Sequence, residues 1–535
     1  MTKERLNTRA AGVVALAVML SRVLGLAREL IFAALFGAGR GMDAYLTAYR
    51  APNLLRDLFA EGALSVAFVT VFSKLGVERG YEASWELARK MATLVLVFMS
   101  VVVVLGIILS APLIGVLAPG FDPEKAAFAA ELTRIMFPFI LLVSLAALAM
   151  GMLNSRNVFG VPALASSFYN LGSIFGGVTL AWLMDPTFGP RALIGMAIGT
   201  LIGGFLQMAV QLPSLRKVGF RFHFDFGWGD PQVKRVLILM LPAVIAASAV
   251  QVNVMVNSIF ASYLGDGAVS WLAYAFRLMQ LPLGIFGVAV ATVTLPVVSK
   301  IAVGGDMKHF RETLSKAIRL ALFLTLPSTV GLVFMSNEII GLIYERGRFT
   351  ATDTLQTGAA LQFYAVGLMA YACIKVLSPA FYALDRKWTP MIVSFGAIGL
   401  NVLLNWQLTF RMGMGHRGLA LSTGLSAVAN FLVLYLLMRN AAGGMESGAV
   451  TGSLAKMLVA AAGLSAACLA GQDWLGPWLH GPHLIDRAWS LLAVIGAGCV
   501  VYFSLCALLR VDEAREAMAL IRRKISRRAI GAPGA

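Results

Sequence analysis

The stretch SRVLGLARE, residues 21–29, places three charged side chains inside a long apolar segment near the amino terminus. Arg22 and Glu29 are seven residues apart, so a helix puts them on one face with Arg28 beside it. A charge at bilayer depth costs at least about 2.5–3.5 kcal/mol, so these side chains should face a cavity or a partner. A guanidinium group can donate two parallel hydrogen bonds to two oxygens of a phosphate. These arginines therefore suggest an anionic ligand.

The next apolar segment carries a second set of charges. Asp43, Arg50 and Asp57 repeat every seven residues, and Glu61 follows four residues later. This spacing predicts a polar stripe along one face of a helix, with Arg56 beside the stripe. The competing interpretation is a set of ion pairs that lock the first two helices together.

Basic residues outnumber their local acidic partners within the apolar segments. Arg277 stands between Phe276 and Leu278, in a segment with no acidic residue. An arginine without a matching acid in a cavity favours an anionic ligand. Six basic residues fall inside predicted membrane spans: Arg22, Arg28, Arg50, Arg56, Arg277 and Lys375.

Two pairs of asparagines are spaced four residues apart, which puts each pair on one helix face: Asn253 with Asn257, and Asn401 with Asn405. Interhelical hydrogen bonding is the first interpretation of both pairs. Coordination of a coupling cation is the alternative. Clustered glycines indicate close helix packing, namely Gly172, Gly176, Gly177, Gly199 and Gly203.

The elements that must position these residues are membrane helices. The chain of 535 residues is 59% hydrophobic and 13% charged, with a mean hydropathy of +0.80. This composition predicts an all-α polytopic membrane protein. We predict fourteen spans, at about 10–36, 42–72, 88–117, 128–153, 161–184, 191–213, 234–263, 268–299, 317–344, 357–382, 389–410, 417–438, 450–472 and 488–510.

The net charge of +17 is explained by loops on one side of a membrane rather than by nucleic acid. Lys and Arg concentrate at the two termini and in the loops after even-numbered spans. The positive-inside rule therefore predicts that both termini are cytoplasmic, and no nucleic-acid partner is expected. The carboxy-terminal tail, 511–535, is predicted to be a basic amphipathic helix that lies on anionic lipids, and a solvated tail is the equal alternative.

A shift of 226 residues overlays one half of the chain on the other. Gly39 meets Gly265, Lys74 meets Lys300, and Ser110 meets Ser336 in this register. Six spans separate the copies, so both copies have the same membrane orientation and the repeat is parallel. The predicted organisation is an N-lobe (1–216, spans 1–6), a C-lobe (217–440, spans 7–12), an added helix pair (441–510) and the tail. Two pseudo-symmetric six-helix lobes around a central cavity favour a transporter over a scaffold.

The motifs that resemble enzyme sites lie in positions that do not fit an enzyme site. The glycine-rich run 37–41 follows a membrane helix instead of a strand, and His480 and His483 lie in an outer loop. No nucleophile–base pair or nucleotide-binding motif is evident, so we expect neither an enzyme nor a resident cofactor or metal. The cysteines lie in apolar segments and lack metal-site spacing, which favours packing roles: Cys373, Cys468, Cys499 and Cys506.

Two long motifs resemble a known family. Residues 21–69, SRVLGLARELIFAALFGAGRGMDAYLTAYRAPNLLRDLFAEGALSVAFV, closely resemble the amino-terminal signature of the MurJ (MviN) family of bacterial lipid II flippases. Residues 269–300, VSWLAYAFRLMQLPLGIFGVAVATVTLPVVSK, resemble the eighth span of that family. The resemblance extends over the whole chain and implies membership of the multidrug/oligosaccharidyl-lipid/polysaccharide exporter superfamily.

The resemblance also implies a substrate and a site. The family moves lipid II, a polyprenyl diphosphate bearing a disaccharide-pentapeptide, to the outer leaflet for peptidoglycan synthesis. Its cavity arginines match Arg22, Arg28, Arg56 and Arg277. We expect Arg28, Arg56 and Arg277 to hold the diphosphate, while Glu29 and Asp43 position the arginines or hold the outward-closed state. Glu29 stands where the family usually has aspartate.

The resemblance also bears on the energy source and the partners. Some relatives bind sodium through an aspartate, but the matching regions here offer asparagines, which puts a sodium site in doubt. Membrane potential or a monovalent cation are the two candidates for the energy source. The expected protein is a monomer of the bacterial cytoplasmic membrane, with lipid II, membrane lipids and cell-wall synthesis or division proteins as partners. Alternatives are a flippase for another polyprenyl-linked glycan, a drug exporter of the same superfamily, and a non-transporting cell-wall scaffold.

Overall fold

The computed structural model describes residues 8–59 and 64–516, and these residues form helices without a strand. The prediction of an all-α protein is therefore confirmed. The described chain divides into two compact units, one of Met1–Ser270 with Arg346–Thr350 and one of Trp271–Glu345 with the remainder from Ala351.

The first unit contains eleven of the described helices. They are α1 (Thr8–Phe36), α2 (Arg40–Phe59), α3 (Ser65–Arg79), α4 (Tyr81–Ile108), α5 (Ser110–Leu117), α6 (Pro123–Met136), α7 (Phe139–Ser155), α8 (Gly160–Met184), α9 (Ala192–Ala209), α10 (Leu212–Lys217) and α11 (Pro231–Ser262).

The second unit begins within the first turn of α12. Its described helices are α12 (Ala268–Pro282), α13 (Val288–Val303), α14 (Met307–Phe334), α15 (Ser336–Tyr344), α16 (Ala351–Ala365), α17 (Leu368–Ala383), α18 (Trp388–Leu404), α19 (His416–Ala441), α20 (Ser447–Leu479) and α21 (Leu484–Leu508). Two π-helical segments, Leu283–Gly287 and Asn405–Arg411, continue α12 and α18.

Several of these helices can cross a membrane by length and composition. Within the described residues, nine helical segments are long and apolar enough to cross a membrane, and some of them join two consecutive helices. The number is ten if the bent pair α16 and α17 counts as one span. The other predicted spans coincide with α1, α2 and α3, α8, and α11. The polytopic architecture is thus established, while the count of fourteen stays a prediction.

The internal repeat reappears in the helix boundaries. Helices α4 and α14 both have 28 residues, and their first residues, Tyr81 and Met307, are separated by the predicted shift of 226. The same shift relates the ends of α1 and α11, Phe36 and Ser262. Sparse identities in sequence therefore mark two copies of one succession of helices.

The boundary between the lobes depends on how the helices are grouped. Helix α11 opens the second copy of the repeat, yet it packs against α2 and α3 within the first compact unit. Grouping by contacts and grouping by repeat thus differ at this helix. The predicted division at residues 216 and 217 concerns the repeat and stays a prediction.

Glycines allow α8 and α9 to approach closely. A Cβ atom on Gly199 would lie 2.2 Å from the Cα of Gly177, and one on Gly203 would lie 2.5 Å from the carbonyl oxygen of Tyr169. No larger residue fits at these positions without moving a backbone. The predicted role of the glycine cluster in helix packing is therefore supported by this geometry.

Helices α20 and α21 are integral to the second unit. Tyr502 donates to the carbonyl of Phe323 on α14 at 3.1 Å, and Gln472 donates to the carbonyl of Phe334 at 2.7 Å. The first turn after α21 also reaches α14, because Glu513 lies 3.0 Å from Arg319. The predicted amphipathic tail lies outside the described residues from position 517 onward.

Candidate functional site

Helix α1 is held against α8 next to the charged stretch. The side-chain amide of Asn170, which is buried, donates to the carbonyl of Ser21 at 3.1 Å and to that of Ser166 at 3.1 Å. This bridge joins the two backbones at the start of residues 21–29. The side chains that follow on α1 are therefore presented from a fixed helix.

Arg28 lies among aromatic rings. Its guanidinium carbon is 5.1 Å from the ring centre of Tyr169 on α8 and 5.9 Å from that of Phe32. The hydroxyl of Tyr169 is 3.2 Å from that of Tyr49 on α2. A cation over a tyrosine face is attracted to the ring quadrupole and keeps its hydrogen-bond donors for another ligand. Arg28 is thus oriented without being neutralised by the ring.

The other charges of the opening stretch differ in exposure. Arg22 is exposed, whereas Arg28 and Glu29 are half-buried. Tyr45, one turn before Tyr49 on α2, shares a hydrogen bond of 3.0 Å with Thr200 on α9. The tyrosines were missed in the sequence, although the spacing of Tyr45 and Tyr49 puts them on one face of α2.

The predicted stripe along α2 faces α11. Arg50 donates to the hydroxyl of Ser258, and Gln251 donates to Asp57 at 3.1 Å. Ser258 and Gln251 are also seven residues apart, so the two stripes run antiparallel with matching period. We call this α2–α11 seam the polar seam. The prediction that Arg50 and Asp57 share a face is supported, and α11 supplies the partners that sequence reasoning did not identify.

Asp43 starts the stripe and is fully buried. Its carboxylate accepts hydrogen bonds from the backbone of Gly267 at 2.7 Å and from the backbone and hydroxyl of Ser270 at 2.9 and 2.6 Å. Lys125 adds an ion pair at 3.0 Å, and its ammonium group also lies 2.8 Å from Asp266. Four donors thus satisfy one buried carboxylate, as burial of a charge requires.

A more exposed ion pair flanks this centre. Arg40 binds both carboxylate oxygens of Asp122 at 2.5 and 2.6 Å, and Asp122 also accepts from the backbone of Lys125 at the start of α6. The hydrogen bond from Arg40 lowers the pKa of Asp122 to about 2. Three loops that the sequence assigns to the same side, after spans 1, 3 and 7, therefore meet around Asp43 and Lys125.

Arg56 has a close acidic neighbour. Its guanidinium lies 2.9 Å from the carboxylate of Asp57, and the two side chains are 20% and 28% exposed. Both residues belong to α2, so this ion pair does not join the first two helices as the competing interpretation requires. A role of Arg56 in ligand binding stays a prediction. Glu61 lies outside the described residues.

Arg277 and Lys375 belong to the second unit. Both side chains are exposed, while Leu278 and Met279 beside Arg277 are buried. Phe276 packs its ring 5.3 Å from that of Tyr364 on α16. Helix α12 therefore presents Arg277 on the face opposite to its packed residues.

The asparagines of α18 bond to each other. Asn405 donates to Asn401 at 3.1 Å, and Ser422 on α19 donates to Asn405. All three side chains are buried. This network follows the interhelical hydrogen-bonding interpretation. Asn253 and Asn257 are half-buried on α11, in the other unit, and a cation site at either pair stays a prediction.

The fold defines the class of protein. The chain is similar to an inward-facing multidrug resistance transporter of the MATE family, from the MOP superfamily, with a TM-score of 0.66 over 81% of this chain and 98% of that chain. The identity is 16%, so this likeness concerns the fold alone. Together with the helices that can span a membrane, it defines a polytopic membrane protein with the fold of that solved structure.

The family follows from closer matches. The model of the lipid II flippase MurJ family matches residues 32–486. The chain is 36% identical to the lipid II flippase MurJ of Burkholderia cenocepacia, over 91% of this chain and 94% of that protein. It is also similar to the solved inward closed conformation of a lipid II flippase MurJ, with a TM-score of 0.74 and 28% identity over 93% and 99% of the two chains. The chain belongs to the lipid II flippase MurJ family, and it is a transporter, not an enzyme.

Proposed function

We propose that this chain flips lipid II from the inner to the outer leaflet of the bacterial cytoplasmic membrane by alternating access. Membership of the MurJ family over residues 32–486 is the observation that carries the proposal. The activity supplies lipid II for peptidoglycan synthesis outside the cell. The cargo is amphiphilic, so a polar path must pass its headgroup while the polyprenyl chain remains in lipid.

Arg28 is the residue we assign to the diphosphate. The stack on Tyr169 orients the guanidinium at 5.1 Å, and a guanidinium carries its charge at any physiological pH. Two parallel hydrogen bonds to phosphate oxygens then give both affinity and orientation. Arg22 and Arg277, which are exposed, are also proposed to bind cargo.

Arg56 is assigned differently from the other arginines. Because its guanidinium is 2.9 Å from Asp57, binding of a diphosphate would compete with this carboxylate. We propose that Arg56 binds cargo in a state in which the contact with Asp57 has opened. Glu29 is proposed to position Arg28, its neighbour in the chain.

The polar seam and the Asp43 centre are proposed to hold one conformation of the transport cycle, the outward-closed one. The contacts of Asp43 with Lys125, Gly267 and Ser270 lie at the ends of helices, where separation requires little change in the helices themselves. Ligand binding shifts such an equilibrium only through its differential affinity for the two states. The diphosphate must therefore bind more tightly to the state in which the seam is open or partly open.

Membrane potential is the energy source we propose for resetting the empty protein. Moving one elementary charge across a membrane potential of 100 mV changes its free energy by about 2.3 kcal/mol. The empty path is proposed to be lined by arginines, which would carry such charge. A monovalent cation at the asparagine pairs is the second candidate. Both termini are proposed to be cytoplasmic, and the protein is proposed to work as a monomer beside cell-wall synthesis or division proteins.

Depletion in cells tests the proposal directly. Loss of the chain should cause lipid II to accumulate in the inner leaflet, while synthesis of lipid II continues. Restoring the wild-type chain should return lipid II to the outer leaflet. Unchanged outer-leaflet lipid II after depletion would refute the assigned cargo.

A further inference from the structure

A row of aromatic rings follows α10. The connector to α11, residues 218–230, alternates aromatic and other residues over Arg221–Trp228. Successive ring centres of Phe222, Phe224, Phe226 and Trp228 are 5.3, 6.1 and 5.5 Å apart. An extended chain turns every second side chain to one side, so these rings form one continuous edge. We call these four residues the aromatic row.

The row is exposed. Phe222, Phe224 and Phe226 retain 47%, 60% and 62% of their surface. Isolated exposed rings are common on proteins, but a contiguous row of them marks an interaction surface. The surface is narrow and linear, only one residue wide.

The row has a fixed base. Phe220, just before it, is buried with its ring 5.7 Å from that of Trp85. The backbone amide of Asp225 donates to the hydroxyl of Thr93 on α4 at 3.0 Å. Asp230 closes the segment through an ion pair with Lys90 at 2.8 Å. The connector is thus attached to the amino-terminal half of α4 at three points.

The position of the connector in the chain identifies what covers the rings. The segment Ala192–Lys217 is long and apolar enough to cross a membrane, and the connector begins at the next residue. Basic residues flank the row on both sides: Arg216, Lys217, Arg221, Lys234 and Arg235. Aromatic rings favour the headgroup region of a bilayer, and basic side chains favour anionic lipids there.

We propose that the aromatic row lies in the headgroup layer of the membrane, with the flanking basic side chains on the phosphates of anionic lipids. The connector is then a surface anchor at the junction of the two copies of the repeat. This inference depends on the chain spanning a membrane, and it depends neither on the cargo nor on which side the connector occupies. Its failure would therefore leave the flippase assignment intact.

Spin labelling at adjacent positions tests the proposal. Phe224→Cys and Phe226→Cys place a nitroxide in the row, and His223→Cys is the matched control because His223 is also exposed but lies between the rings. The full chain is labelled and reconstituted in vesicles of phosphatidylethanolamine and phosphatidylglycerol. Unsubstituted protein gives the labelling background of the native cysteines, three of which are buried.

Collision rates with oxygen and with a water-soluble nickel complex report the depth of each label. Labels at 224 and 226 should favour oxygen, and the label at 223 should favour nickel. Nickel access at 224 and 226 equal to that at 223 overturns the proposal. Labels at 224 and 226 that are shielded from both reagents also overturn it, because they indicate a protein contact such as a second copy of the chain.

A change of lipid tests the role of the basic residues. Replacement of phosphatidylglycerol by neutral phosphatidylcholine should move the label at 226 toward water, lowering its ratio of oxygen to nickel collisions. The label at 223 serves again as the reference. An unchanged ratio at 226 overturns the assignment of anionic lipid to the flanking residues.

Discussion

Lys125 places its ammonium group 3.0 Å from the carboxylate of Asp43, and the two side chains are 3% and 0% exposed. Such a pair is costly to break from one side, since removal of one partner leaves a buried charge without compensation. Lys125 also lies 4.2 Å from the ring centre of Phe121, so its surroundings favour a cation at that position. The pair ties α6 to α2.

Replacement of Lys125 by methionine should destabilise the protein by about 3–5 kcal/mol. The measurement is thermal unfolding of the purified protein in detergent. Glu124→Gln is the control, because Glu124 is a neighbour with a 91% exposed side chain. The double variant with Asp43→Asn should lose less than the sum of the single variants, and strict additivity would contradict a direct pair.

Charge reversal at Arg28 tests the assigned phosphate ligand. Arg28→Glu should abolish translocation of lipid II, because a carboxylate repels the diphosphate that the guanidinium attracts. The readout is lipid II in the outer leaflet of cells that carry only the variant. Membrane insertion should equal that of the wild type, measured by the amount of protein in the membrane fraction. Normal translocation by this variant would remove Arg28 from the site.

Tyr169 is predicted to position Arg28 rather than to bind cargo itself. Tyr169→Leu removes the ring that lies 5.1 Å from the guanidinium carbon and should weaken lipid II binding by about tenfold, as a desolvated cation–π contact of about 1–2 kcal/mol implies. Tyr169→Phe keeps the ring and loses the hydroxyl contact with Tyr49, so binding should change by less than about threefold. Binding is measured with purified protein, and equal losses in both variants would assign the effect to the hydroxyl.

The ion pair between Arg40 and Asp122 is predicted to be insensitive to pH in the physiological range. The pKa of Asp122 is lowered to about 2 in the folded protein, against about 3.9 in an unfolded chain. Its contribution is therefore complete above about pH 4 and disappears as the pH falls toward 2. Wild type and Asp122→Asn should show parallel dependences of thermal stability between about pH 5 and 8. A midpoint in that interval present only in the wild type would contradict the lowered pKa of Asp122.

Periodicity in the sequence predicted one side of the polar seam. The spacing of Asp43, Arg50 and Asp57 placed them on one face of α2, and the structure agrees. The partners of Arg50 and Asp57 on α11 lie about 200 positions later in the chain. Periodicity within one helix contains no information on which other helix it faces, so this pairing required tertiary structure.

Burial of single polar residues was harder to predict than the fold. Lys125 falls between the predicted spans 88–117 and 128–153, where a loop residue is expected to be exposed, yet its side chain is only 3% exposed. Its acidic partners, Asp43 in the first turn of α2 and Asp266 in the loop before α12, are distant in the chain, so local composition does not reveal these contacts. The aromatic row could have been predicted, because its aromatic residues alternate in the sequence with a period of two. The helical periodicity used to find the spans does not detect that pattern.

The hydrogen bonds of Asp43 have a consequence for α12. Gly267 immediately precedes that helix and Ser270 lies in its first turn, where backbone amides have no partner within the helix. The carboxylate from α2 accepts from both amides, so α12 receives its N-cap from a neighbouring helix instead of from its own sequence. A negative charge there also complements the helix dipole. Separation of α2 from this turn would leave α12 uncapped, so its first turn should fray whenever that contact opens.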